Sequence, residues 1–514
     1  MARFYEQIHK NASLTDETEN SQSRANIDKW IFRLLVLLVG VTPLIVMGSM
    51  KDVISPLIAN VGMLISGKKI DLFTQYKAFF LVVITVVIAI LFSAKIFFMQ
   101  GSIRKTKLNF LLGINVMMII ISTVASPNIS IALHGQYNRS DGALSWLCYL
   151  ALFFIAMNIE YPKKAIQYIV YATIPFVLIN FVIITLNFYG KDLLQKIWIQ
   201  KFVTLFLPDG ASIGEGSVLI GTLNHGNYMS GMFAIVTVLF LSKSLIDQKI
   251  FHKIFSFIMA IMALFVVFMS LSTSGFLTLV IMMIFLLWIA FKNEKKVIAF
   301  LQIVAFCVIS VAGIHVLAGE NPKVWDETFG FFISSNPYKE ETVTLSKSLF
   351  DFDNRAYASD NTIELPEIAG TGVGAGSGRV YIWTYIMDLV KERPLLGYGL
   401  DTLMYNFPHY NKDARANLET ETVIVDKPHN MYIGVLYGTG IVGFIAFLAI
   451  IVVTVLNSLK VIIRGKDSLV VLAVAVLAFL LQALFNDTLP GTAAPLWVIL
   501  GVLLTQLNIQ KTLE

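Results

Sequence analysis

A chain of 514 residues that is 56% hydrophobic and only 14% charged falls well short of the ~25% charge of an ordinary soluble domain. With a mean hydropathy of +0.72, it reads as a polytopic membrane protein with most of its length in a bilayer. The pI near 8.9 then reflects Lys and Arg at cytoplasmic loops, not nucleic-acid binding. Cys148 and Cys307 both fall inside apolar runs, which argues against a disulfide framework or a cysteine metal site.

In chain order, residues 1–29 are polar and lack the apolar region of a cleaved signal peptide, so they read as a mobile cytoplasmic tail. Apolar runs then predict an all-α fold of about twelve transmembrane helices: 30–49, 77–98, 108–126, 142–158, 165–188, 228–246, 253–270, 274–291, 297–318, 431–457, 467–485 and 489–508. With the N-terminus inside, 21 of the 39 Lys and Arg fall on inner segments and 8 on short outer loops, while 10 lie in one long loop, 319–428. That asymmetry predicts both termini in the cytoplasm and the long loop outside. The domains expected are therefore the tail 1–29, helices one to nine over 30–318, the extracytoplasmic loop 319–428, and the last three helices over 429–514.

The spans carry almost no ionisable groups, whereas ion and proton transporters keep them mid-membrane. Polar chemistry is concentrated in the outer segments. Within the long loop, "RVYIWTYIMDLVKERP" places apolar residues at Val380, Ile382, Trp383, Ile386, Met387, Leu389 and Val390. This pattern predicts an amphipathic helix that ends before Pro394. Arg379 opens it, after a run with glycine at 370, 372, 374, 376 and 378. That run lacks the Lys-Ser/Thr of a P-loop and reads as a hinge or an anion-cradling turn. A guanidinium at such a junction suits phosphate, or simply rests at a membrane rim. Asp351 and Asp353 have a spacing that could hold a cation, but a solvated loop explains them. His225, in "NHGN", is a weak candidate for the same face.

His429 stands where a polar approach becomes an apolar run. On a continuous helix from there, Leu436, Gly440 and Gly443 would share its face. Small residues would let another helix come close beneath the histidine. A histidine suits proton transfer near neutral pH; an ordinary interfacial histidine over a packing face is the plainer alternative.

These residues resemble the O-antigen ligase and polysaccharide polymerase superfamily of bacterial envelopes. Its members show His-Asn/Ser/Gln, nine residues, then Gly-x-x-Gly/Thr/Tyr; His429, Asn430, Gly440 and Gly443 match. The superfamily's Arg followed four residues later by a large apolar side chain is matched by Arg379 and Trp383. "ERPLLGYGLDTL" and "GTLNHGNYMSG" resemble its linking and mid-chain segments. The sequence departs from the family at Ser274, where many members carry an arginine.

The resemblance implies a GT-C-like glycosyltransferase of the bacterial inner membrane, needing neither metal nor cofactor. It would transfer a glycan, with inversion, from undecaprenyl diphosphate to a glycan acceptor at the outer face. His429 would be the base and Arg379 the diphosphate ligand, with Asn430, Trp383, Gly440 and Gly443 in support. Lys427 would supply the second cation, with Lys201, Arg139 and Arg355 in reserve. Polymerisation of repeat units is the favoured reading. Ligation of finished chains to another acceptor such as lipid A core is the alternative, and a non-enzymatic flippase of lipid-linked glycans is a third.

Overall fold

A long apolar run can satisfy its backbone in hydrocarbon only by hydrogen bonding within itself, and the computed structural model is helical almost throughout. It describes residues 2–56, 66–208, 211, 213, 218–223, 225–333, 335–339, 378–410, 424–465 and 468–513, with the backbone alone for 2–15 and 508–513. The first helix, α1 (Ala2–Val41), runs unbroken from the polar N-terminal stretch into the first expected span. This corrects the expectation of a mobile tail. Asp28 is buried in an ion pair with Lys95 at 2.7 Å, and Arg24 donates to the Met99 carbonyl at 2.8 Å.

An antiparallel hairpin then pairs β1 (Ser49–Val53) with β2 (Gly67–Asp71), Ser49 opposite Asp71. It lies in a stretch read from sequence only as an outer loop. The Asp71 carboxylate accepts from the amides of Phe73, Thr74 and Gln75 and so caps α2 (Gln75–Phe98). There follow α3 (Lys107–Val124), α4 (Ile129–His134), α5 (Ala143–Ala156), α6 (Ala165–Ala172), α7 (Ile174–Phe188) and α8 (Ile197–Val203). Next come α9 (Gly226–Ile246), α10 (Ile250–Met269), α11 (Thr273–Lys292), α12 (Lys296–Glu320) and α13 (Lys323–Asp326). The chain ends with α14 (Arg379–Glu392), α15 (Leu403–Asn406), α16 (Met431–Arg464), α17 (Leu469–Gln482) and α18 (Pro490–Leu513).

Among the described residues, nine helical stretches are long and apolar enough to cross a membrane, α6 and α7 counting as one. Of the other three expected spans, α5 and α17 have only 14 residues each. The apolar end of α1 is preceded closely by Arg24, Asp28, Lys29 and Arg33. The chain is a multi-pass membrane protein.

The core is built around α9, which is buried on nearly every side. Small residues allow this. A side chain at Gly275 would strike Ser230 of α9, and one at Gly231 would meet the Gln482 amide at 2.5 Å. Peripheral helices turn apolar groups outward, as at Phe79 and Ile90 of α2 and Leu301 of α12.

Two lysines on α2 mark the two faces of the bundle. Near its start, the Lys77 ammonium donates to the carbonyls of Phe73 and Thr222, both at 2.7 Å, and to that of Ile45. Near its end, Lys95 joins Asp28 and the Asn158 carbonyl. The polar cluster described next lies on the Lys77 face. Thr74 meets Ser140 there, with hydroxyls 3.2 Å apart.

Candidate active site

α14 places its charges by burying its other side. Ile382, Ile386 and Val390 pack in a core with Tyr398, Leu403, Phe407 and Tyr437. That leaves Arg379 and Trp383, one turn apart, free to reach across the loop. The Arg379 guanidinium donates to the Phe485 carbonyl at 2.9 Å. The Trp383 indole donates to the Pro428 carbonyl at 2.7 Å. The spacing of four thus gives two clamps, one on the end of α17 and one on the residue before His429.

His429 is not on a helix. Its φ is +53°, and Asn430 follows as the N-cap of α16, its Oδ1 accepting from the amides of Tyr432 at 2.9 Å and Ile433 at 3.1 Å. The Asn430 side chain also donates to Leu484, and the Met431 amide donates to Ala483. Carbonyls left unpaired at the end of α17 therefore anchor Arg379, Asn430 and Met431 together.

The glycine motif works differently from the expected helix-packing face. α16 breaks at Gly440, whose φ of +70° and ψ of −179° are non-helical and essentially restricted to glycine. The break orphans backbone groups, and the segment 394–399 satisfies them. The Tyr398 amide donates to Tyr437, Gly399 to Gly438, and Ile441 to Pro394, at 3.0, 3.0 and 2.8 Å. Gly397 and Gly399 have φ of +65° and +90°. A side chain at Gly397 would lie 2.6 Å from the Tyr437 carbonyl oxygen. Gly443 alone faces a neighbouring helix, with Met118 of α3 at 3.2 Å from an added Cβ. The continuous-helix argument for a shared His429 face is accordingly corrected: the motif's glycine break ties α16 to the 394–399 segment.

Around His429 the structure gathers more charge than the motifs contain. The Arg139 guanidinium donates to Asp401 at 2.5 Å and to the Tyr228 hydroxyl at 3.1 Å, and stands 4.0 Å from Asp487. The Lys427 ammonium lies 3.7 Å from Asp426 and 5.4 Å from the centre of the Tyr228 ring. Arg139, Asp401, Asp426 and Asp487 line one cavity with Pro428 and Tyr437. Asp141, on the same cavity, accepts from Tyr149 at 2.9 Å and from Trp146 at 3.2 Å. Burial, with Asp401 nearby, pushes its carboxyl up to about 7. Burial and then Lys427 push the His429 imidazole down to about 3, Asp426 opposing and Arg379 and Arg139 adding. Ser140, Asp401 and His429 all have positive φ at this one site, a clustering of backbone strain typical of functional centres.

His225 caps α9, its Nδ1 accepting from the Asn227 amide at 3.1 Å. Burial and the charge of Lys427 lower its proton affinity. Ser274 is buried and accepts from Gln482 at 3.1 Å, so an arginine there would displace a packed amide. Lys201 lies on exposed α8. Asp351, Asp353, Arg355 and the glycines 370–376 lie outside the described residues. Sequence reasoning named Arg139 only as a reserve and missed Tyr228, Asp141, Asp401, Asp426 and Asp487. Tyr228 and Asp401 fall within the quoted "GTLNHGNYMSG" and "ERPLLGYGLDTL" segments, and Asp141, Asp426 and Asp487 sit just outside apolar runs, which is the signal they offer.

Residues 255–448 match the O-antigen ligase family. Over that stretch the chain is similar to the O-antigen ligase and polymerase superfamily. The O-antigen ligase region holds Arg379, Trp383, Lys427, His429, Gly440 and Gly443, whereas Arg139, Tyr228 and Asp487 lie outside it. No curated protein matches the chain. The match supports, in general terms, an enzyme of the ligase or polymerase type that works in a membrane on lipid-linked glycans.

Proposed function

We propose that the protein polymerises polysaccharide repeat units, moving the growing glycan from an undecaprenyl-diphosphate donor to a lipid-linked acceptor at the outer face of the bacterial inner membrane. The observation that carries this reading is one site that brings His429 together with the charges of Arg379, Lys427 and Arg139. In a GT-C-like inverting transfer, the acceptor hydroxyl attacks the anomeric carbon opposite the diphosphate. The new C–O bond forms as the sugar–phosphate C–O bond breaks, and the lipid diphosphate leaves with the electron pair. His429 accepts the hydroxyl proton. Arg379, Lys427 and Arg139 meet the charge that develops on the leaving group. No metal enters this scheme.

A histidine held near 3 is a weak base. A bound diphosphate changes that, because it offsets the cations that disfavour the imidazolium and adds negative charge beside it. The base would gain strength only with donor in place. Of the expected second cations, Lys427 and Arg139 both meet Tyr228, which supports a role for either beside His429.

The family description favours ligation of finished chains to a different acceptor as the second reading. The glycan lipid that accumulates on deletion separates the two. Single repeat units are expected for a polymerase; finished lipid-linked chains would establish the ligase, and neither would overturn both.

A further inference from the structure

Between α7 and the hairpin's end of the bundle lies an element that the transfer reading does not use. α8 has three faces. Val203 is buried against Leu72, Ile183 and Leu194, and its carbonyl accepts from the Gly48 amide at 2.6 Å. Trp198 and Phe202, one turn apart on another face, are 68% and 61% exposed, and Phe206 just beyond is 56% exposed. Gln200 and Lys201 present polar groups on the third, with the exposed Ile197 between them. The segment leaves the end of α7 at Tyr189 and returns to the start of α2, where Phe206 packs on Tyr76 with ring centres 5.4 Å apart. Both are membrane-crossing helices, so α8 sits at the level where they end.

We infer that α8 lies in the plane of the membrane surface, on the face that carries His429, with Trp198 and Phe202 inserted at the boundary of headgroups and acyl chains. Two observations fix the occupant as lipid. The depth is set by the ends of α7 and α2. The composition, with aromatic side chains on one face and Lys191, Lys196 and Lys201 exposed around them, is that of an interfacial helix attracted to anionic headgroups. Asp192, the acid of this stretch, is turned inward, accepting from the Leu194 amide at 2.9 Å. The inference depends on the chain crossing a membrane and not on the transferase reading.

The test uses the full-length protein with Cys148 and Cys307 replaced by serine, reconstituted in phosphatidylcholine vesicles containing phosphatidylglycerol. Phe202→Cys and Gln200→Cys are each labelled with bimane. The label at 202 is expected to lose emission to a lipid carrying a doxyl group near its headgroup and to resist aqueous iodide. The label at 200 is expected to do the opposite. Equal iodide quenching at both positions, or shielding of 202 from doxyl lipid and iodide alike, as a protein partner or second copy would give, overturns the inference.

Discussion

His429 combines a left-handed backbone with a depressed proton affinity, and each has a testable consequence. His429→Asn keeps a residue type that tolerates positive φ but removes the base. It should lower turnover by about 10²–10⁴-fold with thermal unfolding unchanged; near-normal polymer length in a complemented deletion strain would reject the role. The free enzyme's base sets the acid limb of kcat/KM, and it acts when deprotonated. A pKa held low therefore extends activity downward, and kcat/KM should persist at about pH 5, where an ordinary histidine of pKa ~6.5 is mostly protonated. Lys427→Ala removes the nearest positive neighbour, so it should move that limb to higher pH as well as weaken donor binding. An unmoved limb would detach Lys427 from His429. Trp383→Phe loses the hydrogen bond to Pro428 and should cost about two- to tenfold in kcat/KM, measured on purified protein with lipid-linked donor.

Among the elements, α14 was legible in extent, since Pro394 gave its end and the spacing of Ile382, Ile386 and Val390 its buried face, whereas Val380 of the same pattern is exposed. The break in α16 was not, because the apolar run continues through Gly440 and nothing local distinguishes a packing glycine from one with φ near +70°. The partner that satisfies the broken turn lies some forty residues earlier, beyond the reach of periodicity. The corrected role changes the expected outcome of substitution. Gly440→Ala should itself be harmful, since it adds roughly 1–3 kcal/mol of backbone strain and a methyl group 2.8 Å from the Pro394 carbonyl oxygen. Turnover and thermal stability should both fall. An alanine variant with wild-type values would mean that α16 straightens at little cost.

For the whole molecule, each of the nine described helical stretches able to cross a membrane falls on an apolar run of the sequence, because hydrocarbon admits so few backbone solutions, while three further expected spans do not reach that length and apolarity. Hydropathy could not show that residues 139, 401 and 487 share a cavity, since ion pairs over such distances leave no local pattern. The side of the membrane is a separate question, and the Lys and Arg asymmetry makes a definite prediction. Cysteines introduced at Ser335 and Lys460, in a chain lacking the native two, should differ in intact cells: a membrane-impermeant thiol reagent should label 335 and spare 460. The reverse pattern would put His429 in the cytoplasm and end the proposed use of an external donor.

The pairing of Arg139 with Asp401 and Asp487 also bears on how the protein is made. Domains and helices emerge from the ribosome N-terminal end first, so Arg139 enters the membrane environment well before either carboxylate has been synthesised. A buried guanidinium without its partner is strongly destabilising, by about 3–5 kcal/mol. The early helices must therefore hold that residue in water, or loosely packed, until the last hundred residues arrive. Shutting the cavity around Arg139 would then be a late event in biogenesis, and nascent chains stalled before Asp401 should be open at this site and readily cut by protease there.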